Sequence, residues 1–522
     1  MLAVLTGLLA AGRHEEVLAL FAKLVSRNRE LELLLAKQRA GKNRGEGVSS
    51  AQLHLFLQAL RTSSPEALAE ANRALEEVAD KHGGRPERTR PEPQPPVRRK
   101  PSSRLRRVDN PISVPEAERP CPTCGAMRKC VTHEVTEVID LIPAEVIVRL
   151  DRREVLACDS CDAEMVRAPL GDKVIEAGAY GSRLVADLVV GKYRDGLPLH
   201  RQGQILERLG LSMPSSSMSD QITWATDLLR PIWRALIQVV LRAIVMHVDG
   251  TSLLVRDRDG PKGITTGSLW GYVGDQDAAV YLYTSTAKKL GQREGEIGPE
   301  ELLDKREGPV VADAANLFDK SFQDGKRLEV GCNMHARRYF VKALEAGDAR
   351  AAVPLAAFKT LYDVEAAARD LDPEARRAER QRRTRPVYDQ LLDWARTYQP
   401  VEPPSSLLGK AIQYLLNHHV ALTRFLDDGR LPADNGIVER LHRRPAITRR
   451  NFLFAGSHAA AERAAIAYSI LATCDLLDIN PVEYLADVLP RLARPLVIAR
   501  DIPPLLPAAW KAARAAAAAA TP

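Results

Sequence analysis

The sequence is poor in aromatic residues, which make up 5% of its 522 positions. Cores built from such a chain must be rich in Leu, Val and Ala instead. Long apolar runs are also missing. The best, LIQVVLRAIVM, is broken by Arg242 and falls short of the ~18 residues a membrane-spanning helix needs. The opening MLAVLTGLLAA lacks a basic leader and reads as a helix, not a signal peptide. Cysteine is scarce: there are seven, four of them in two CxxC pairs. That usage excludes a disulfide scaffold and points to metal in a reducing cytoplasm. Acid does not dominate, since 74 Lys and Arg face 67 Asp and Glu, giving a net charge of +7 and a pI near 9.0. A basic balance suits a polyanionic partner. Hydrophobic content of 45% is ample for globular cores, and the length predicts three or more domains.

Residues 1–82 read as an N-terminal helical region. Val17, Phe21, Leu24, Asn28, Leu31 and Leu35 alternate in steps of four and three, the spacing of a coiled-coil seam. Asn28 at an a position favours an in-register dimer; an amphipathic helix packed on its own domain satisfies the same spacing. A second helical patch spans residues 50–81. Residues 83–116, with GGRPERTRPEPQPPVRRKPSSRLRR, are too rich in Pro and Arg to pack a core. They predict a basic linker, either a plain tether or a segment lying along DNA phosphate. Residues 117–166 hold Cys121 and Cys124 and, after 33 intervening residues, Cys158 and Cys161. Two such knuckles flanking β-rich sequence describe a zinc ribbon, with a closed and therefore structural four-thiolate site. Cys130 and His133 are spectators. In residues 167–242, a helical region, LHRQGQILERLGLSMPSSSMSDQITWATDLL carries helix-turn-helix punctuation around Gly210. Its second helix would enter a major groove of bound DNA, although helical hairpins share the pattern.

At Ile244 the period changes. IVMHVDGTSLLVRD, GSLWGYVGD and AAVYLYTST predict a three-stranded meander, with Asp249 mid-strand, where an unpaired carboxylate is costly unless it binds something. A fourth strand, GPVVADAAN, ends in Asp313. EVGCNMHARRYF then runs into a helix with His335, Arg337 and Arg338. This arrangement describes an RNase H-like catalytic domain over 243–457, with a helical insertion at 341–428. Within the insertion, residues 369–385 read as a solvated charged face. Cys332-x-x-His335 resembles half a zinc site without a second half. The stretch ADNGIVERLHRRPAITRRNFLFAGS, Ala433 to Ser457, places Glu439 on a short helix capped by Asp434 or Asn435. Pro445 is expected to end that helix within about two turns. Glu439, His442, Arg443 and Pro445 are read along one side, followed by Arg449 and Arg450. A carboxylate ringed by arginines suits a site holding metal ions and a polyanion. A routine Glu439–Arg443 salt bridge is the alternative. Residues 458–522 form a C-terminal helical region whose final KAARAAAAAA is free to fray.

Taken together, the CPTCG…CDSC ribbon, KYRDGLPLHRQ, HVDGTSLLV, VVADAANLFD, GCNMHARRYF, DNGIVERLHRRPAITRRNFLFAGS and INPVEYLADVLPRL closely resemble the IS66 family of insertion-sequence transposases. The resemblance covers nearly the whole chain and implies a DDE transposase. Its triad falls on Asp249, Asp313 and Glu439, which would hold two Mg²⁺ (or Mn²⁺) ions about 4 Å apart for in-line displacement at phosphorus. His335 would orient the scissile phosphate, and Arg337, Arg449 and Arg450 would hold its neighbours. Implied partners are double-stranded DNA (terminal inverted repeats and target), a second copy of the chain, and accessory proteins of the same element, in a bacterial cytoplasm at the nucleoid. Alternatives are a DNA-binding protein that has lost catalysis and an RNase H-like nuclease that does not join strands. Three positions depart from the family: Gly250 stands where an acidic residue is usual, Gly436 where a second Asn is, and Asn333 where an aromatic is.

Overall fold

The structure is a computed structural model that describes residues 127, 144–152, 154–156, 166–167, 178–260, 263–285, 297–313, 319–323, 325–494 and 498–520. The coiled-coil seam, the helical patch at 50–81, the whole basic linker and the four ribbon cysteines lie outside them. Two compact units are distinguished, Arg85–Arg149 and the rest of the chain. In the first, only Met127 and residues 144–149 are described, largely exposed. In the second, two short strands come first, β1 (Val155–Leu156) and β2 (Val166–Arg167), paired antiparallel.

Four helices follow: α1 (Ser182–Tyr193), α2 (Leu199–Arg208), α3 (Ser215–Leu228) and α4 (Arg230–Arg242). Gly210, in the turn after α2, has a φ of 88°, a left-handed conformation that glycine adopts without steric cost. The expected helix-turn-helix segment is thus two helices about a left-handed glycine turn.

The central sheet contains β3 (Met246–Arg256), β4 (Ile264–Gly274), β5 (Ala278–Thr284), β6 (Gly308–Ala312) and β7 (Arg327–Gly331). Its order is β5-β4-β3-β6-β7. The first three strands in the chain form an antiparallel meander, while β6 and β7 run parallel to β3. The edge strand β5 is buried throughout, so its outer backbone groups need partners. Helix α13 (His458–Leu476) supplies them. Its Ser469 Oγ accepts from the Tyr281 N–H at 2.7 Å, and its Thr473 Oγ1 accepts from the Ala279 N–H at 3.0 Å. The alanines of α13 allow this close approach, and Trp233 of α4 donates its indole N–H to the Tyr281 carbonyl at 3.0 Å.

A short helix, α5 (Pro299–Leu303), precedes β6. After β7 the chain enters α6 (Asn333–Glu345) and then α7 (Ala352–Ala367), α8 (Pro373–Glu379), a π-helical turn (Arg380–Thr384), α9 (Arg385–Tyr398), α10 (Leu407–Asn417) and α11 (His419–Thr423). Val311 and Val330 of the sheet share one core with Phe340, Phe358, Leu391, Leu415 and Phe425, which joins the helical insertion to the sheet. Most of 369–385 is exposed or half-buried, as the solvated-face reading expects, but Arg380 turns inward. Arg380 is 1% exposed, paired with Glu365 and donating to the carbonyls of Phe425, Asp428 and Leu431. A guanidinium has five donors in a fixed fork and tolerates burial only when they are satisfied.

Helix α12 (Gly436–Asn451) returns across β3 and β4 and contains Pro445 in its interior. The expected stop at Pro445 therefore does not occur. Val438, His442, Pro445 and Thr448 form one buried face of this helix, and that packing outweighs the hydrogen bond the proline omits. Beyond it, the chain runs beside the end of β3, where Arg256 N–H donates to Ala455 O and Ala455 N–H to Leu254 O, each at 2.8 Å. After α13 come α14 (Pro481–Leu492) and α15 (Pro507–Ala520). The Ala-rich tail is helical in α15, as alanine's propensity favours. No described helix is long and apolar enough to cross a membrane.

Candidate active site

The site begins with strand register. His247 of β3 lies opposite Val311 of the parallel strand β6. Two residues further along the chain in each case are Asp249, on β3, and Asp313, the residue just past the end of β6. Across β4 and β5 the same row continues through Gly271 and Tyr281. Asp249 is largely buried, and its carboxyl is pushed up to about 7, first by burial and then by the charge of Asp313. The Gly250 N–H, donating to Asp249 Oδ1 at 2.8 Å, pulls the other way. Glu439 adds a smaller rise, and Arg338 offsets part of it. Asp313 and Glu439 therefore both act electrostatically on Asp249.

Glu439 reaches this cluster from the first turn of α12. Asp434 Oδ1 accepts the Gly436 N–H at 2.8 Å and so begins the helix. Asn435 does not cap it. Its side chain turns to the sheet, with Nδ2 donating to Val248 O at 2.8 Å and Oδ1 lying 2.9 Å from His247 Nδ1. Pinning α12 to β3 beside Asp249 in this way fixes where Glu439 projects. The alternative pairing of Glu439 with Arg443 is corrected. Glu439 Oε2 accepts from Arg338 Nη2 at 3.0 Å, and Oε1 lies 3.4 Å from His335 Nδ1, while Arg443 is exposed. That last contact is not an aligned hydrogen bond, so Glu439 Oε1 and His335 Nδ1 are both buried without one.

Cys332 joins His335 and Glu439 in a group whose donor atoms lie within 4.8 Å of one another. The half-site legible in the sequence thus meets a carboxylate. Its thiol, however, is pushed up to about 12 by burial and accepts the Asn435 N–H at 3.2 Å. The sulfur thereby helps to hold the backbone at Asn435.

The basic residues divide. His335 is at the acids. Arg449 is committed to β3, donating to Thr251 Oγ1 at 3.0 Å and Ser252 O at 2.6 Å. Arg450 is exposed, and the charge of Arg337 is felt at Tyr362 of the insertion. Arg338, one residue beyond Arg337, makes the contact with the acids. His442 is a second residue whose place the sequence did not reveal: its Nε2 lies 3.6 Å from Asp249 Oδ2. Helical spacing from Glu439 was the only signal for it.

The departures from the family pattern have local causes. At Gly250 a Cβ would lie 2.5 Å from the Trp270 ring, which covers that position. At Gly436 a Cβ would meet Asp434 Oδ1 at 2.8 Å. Asn333 is fully buried and satisfied: it donates to Leu422 O and Ala433 O and accepts from Tyr388 Oη.

Comparison with known proteins identifies the family. The family described as "Transposase IS66 family" matches residues 177–463, across the sheet, the insertion and α12. The "zinc-finger binding domain of transposase IS66" matches residues 118–162, which include the four ribbon cysteines. Among curated proteins, the uncharacterized protein y4hP of Sinorhizobium fredii (strain NBRC 101917 / NGR234) is 31% identical over 430 residues, 77% of this chain and 75% of its own. From the same organism, the uncharacterized protein y4qI is 29% identical over 459 residues, 86% of this chain and 81% of its own. The chain belongs to the IS66 family of transposases.

Proposed function

We propose that this chain is a DDE transposase, a metal-dependent polynucleotidyl transferase that cleaves DNA at the ends of an insertion sequence and joins it to a target. The observation that carries the reading is the placement of Asp249, largely buried on β3, with Asp313 and Glu439 near enough for their charges to push its carboxyl up. Sheet order supports an RNase H-like core, with an antiparallel meander whose first strand is joined by two parallel strands. The donor set fits divalent cations. Three oxygen-rich acids crowd together, and Glu439 Oε1 is buried without a hydrogen bond; hard cations take such ligands. Asp249, Asp313 and Glu439 would hold Mg²⁺ or Mn²⁺. The metal would supply activation of an oxygen nucleophile and neutralisation of the leaving oxygen at phosphorus.

The protein's own groups do the positioning. His335 and Arg338 lie where a scissile phosphate would approach the acids, and Arg450 is exposed toward flanking phosphates. Arg337 and Arg449 hold flanking phosphates of the same DNA strand, Arg449 also bracing the middle of β3. Helices α2 and α3 are the DNA-binding pair, and zinc on Cys121, Cys124, Cys158 and Cys161 holds the ribbon. The N-terminal seam brings two copies together at paired DNA ends.

The test uses the full chain, a duplex of the element's terminal repeat and a target plasmid with Mg²⁺. Cleaved ends and joined products are expected. D249N, D313N and E439Q should each abolish both while still retarding the duplex, because binding rests on phosphate contacts elsewhere. Cleavage without joining would make the chain a nuclease, and retardation without cleavage by the wild type would leave only a DNA-binding protein.

A further inference from the structure

The imidazole of His442 is 8% exposed, and both of its ring nitrogens are buried without a hydrogen-bond partner. Unsatisfied polar groups are costly in a core, and a leucine would fill this space at no such cost. The surroundings are shaped to the ring. A Cβ at Gly271 would lie 2.8 Å from its Cε1, and Tyr281 meets it edge-on with ring centroids 5.6 Å apart. Because Gly271 is the cross-strand partner of Asp249 and β6 lies on the other side of β3, His442 flanks Asp249 on the side away from Asp313. Its Nε2 is 3.6 Å from Asp249 Oδ2, a few tenths of an ångström beyond hydrogen-bond length.

Tautomer chemistry assigns the role. A neutral imidazole carries one N–H. That N–H costs least on the nitrogen that faces a carboxylate, which is Nε2. To ligate a metal through Nε2 instead, the ring would need the opposite tautomer, with Nδ1–H satisfied by a partner, and Nδ1 has no hydrogen-bond partner among the described residues.

We propose that His442 is a positioning residue for Asp249, its Nε2–H closing on Oδ2 while the Gly250 N–H holds Oδ1. Gripped on both oxygens, the carboxylate keeps one rotamer and presents its remaining lone pairs to the metal. The proposal rests on the metal-site reading above.

The experiment measures Mn²⁺ binding by the full chain, by calorimetry and by the electron paramagnetic resonance of the bound ion, without DNA. Wild-type binding should be lost in D249N. His442→Leu should fold, with a melting temperature close to wild type, yet bind Mn²⁺ roughly 10-fold more weakly, the usual scale for loss of an outer-shell partner. His442→Gln carries an amide N–H to nearly the same point and should recover most of that loss. Equal binding by the Leu variant and wild type, or by the Leu and Gln variants, would overturn the proposal and leave His442 as packing. Should His442→Leu not fold, His442→Gln and His442→Asn carry the test. The shorter Asn cannot reach Oδ2 and must bind several-fold more weakly than Gln; equality overturns the proposal. Wild-type chain that shows no Asp249-dependent Mn²⁺ binding would overturn the metal-site reading itself, and this proposal with it.

Discussion

Arg338 and Glu439 meet across the site from helices α6 and α12, Nη2 donating to Oε2 at 3.0 Å, and the same guanidinium lies 3.1 Å from His335 Nε2. Arg338 therefore brings a positive charge to a cluster of three acids. Arg338→Ala leaves Glu439 partly buried without its ionic partner. In chelator the chain should lose about 1–3 kcal/mol of stability in denaturant unfolding. With that charge gone, Mn²⁺ should bind several-fold more tightly. Unchanged Mn²⁺ affinity in this variant would show that Arg338 is electrostatically remote from the metal ligands.

Asp249 makes stability depend on pH in a direction that can be worked out. Its folded carboxyl titrates at about 7, against an ordinary 3.8. Between those values the folded chain binds more protons than the unfolded one, so this contribution falls as pH rises through the window and stays low above it. D249N lacks the effect. Without metal, D249N should gain on wild type from pH 5 to pH 8, reaching roughly 1–3 kcal/mol. Parallel stability profiles across that range would mean the acids are not crowded.

Gly250 and Trp270 sit opposite each other on β3 and β4, and the indole N–H donates to Thr284 Oγ1 at 2.9 Å. Restoring an acidic side chain with Gly250→Asp should cost about 1–3 kcal/mol by overpacking. Combined with Trp270→Ala, the same change should cost much less than in the wild-type background. A double-mutant cycle in chemical denaturation reads this coupling directly, and additive effects would refute the steric account.

Arg380 ties the insertion together. Replacing it with Met keeps length and removes the charge, leaving Glu365 and three carbonyls without their donor. A loss of roughly 3–5 kcal/mol is expected, the range for breaking a buried pair from one side. A loss below 1 kcal/mol would place Arg380 among ordinary surface arginines.

These residues mark where sequence reading succeeds and where it stops. The meander, with Asp249 inside its first strand and Asp313 at the end of the fourth, was legible because strand periodicity and turn residues act locally. The alternation of β3 and the Gly/Asp-rich turns do not depend on the rest of the chain. Pro445 misled because a local rule met a buried face, Val438–His442–Pro445–Thr448, that only tertiary packing supplies. Arg380 looked solvated because its acceptors are carbonyls about 45 to 51 residues away, and carbonyls leave no trace in side-chain pattern. Asn435 read as a cap for the same reason: its partners are on β3. Arg338 and Arg337 are neighbours, and only the helix's rotation decides which one meets Glu439.

The link from Asn435 to Val248 spans 187 residues of chain, and this has a consequence during synthesis. A ribosome releases both aspartates well before the helix that carries Glu439. Until α12 emerges and docks, the emerging polypeptide holds two like charges on adjacent strands with no third ligand, and β3 and β6 share only two paired positions. Closing so long a loop is slow relative to forming the meander. On the proposed function, an unfinished or prematurely terminated chain would be unable to cut DNA, and cleavage competence would arise as one of the last events of folding.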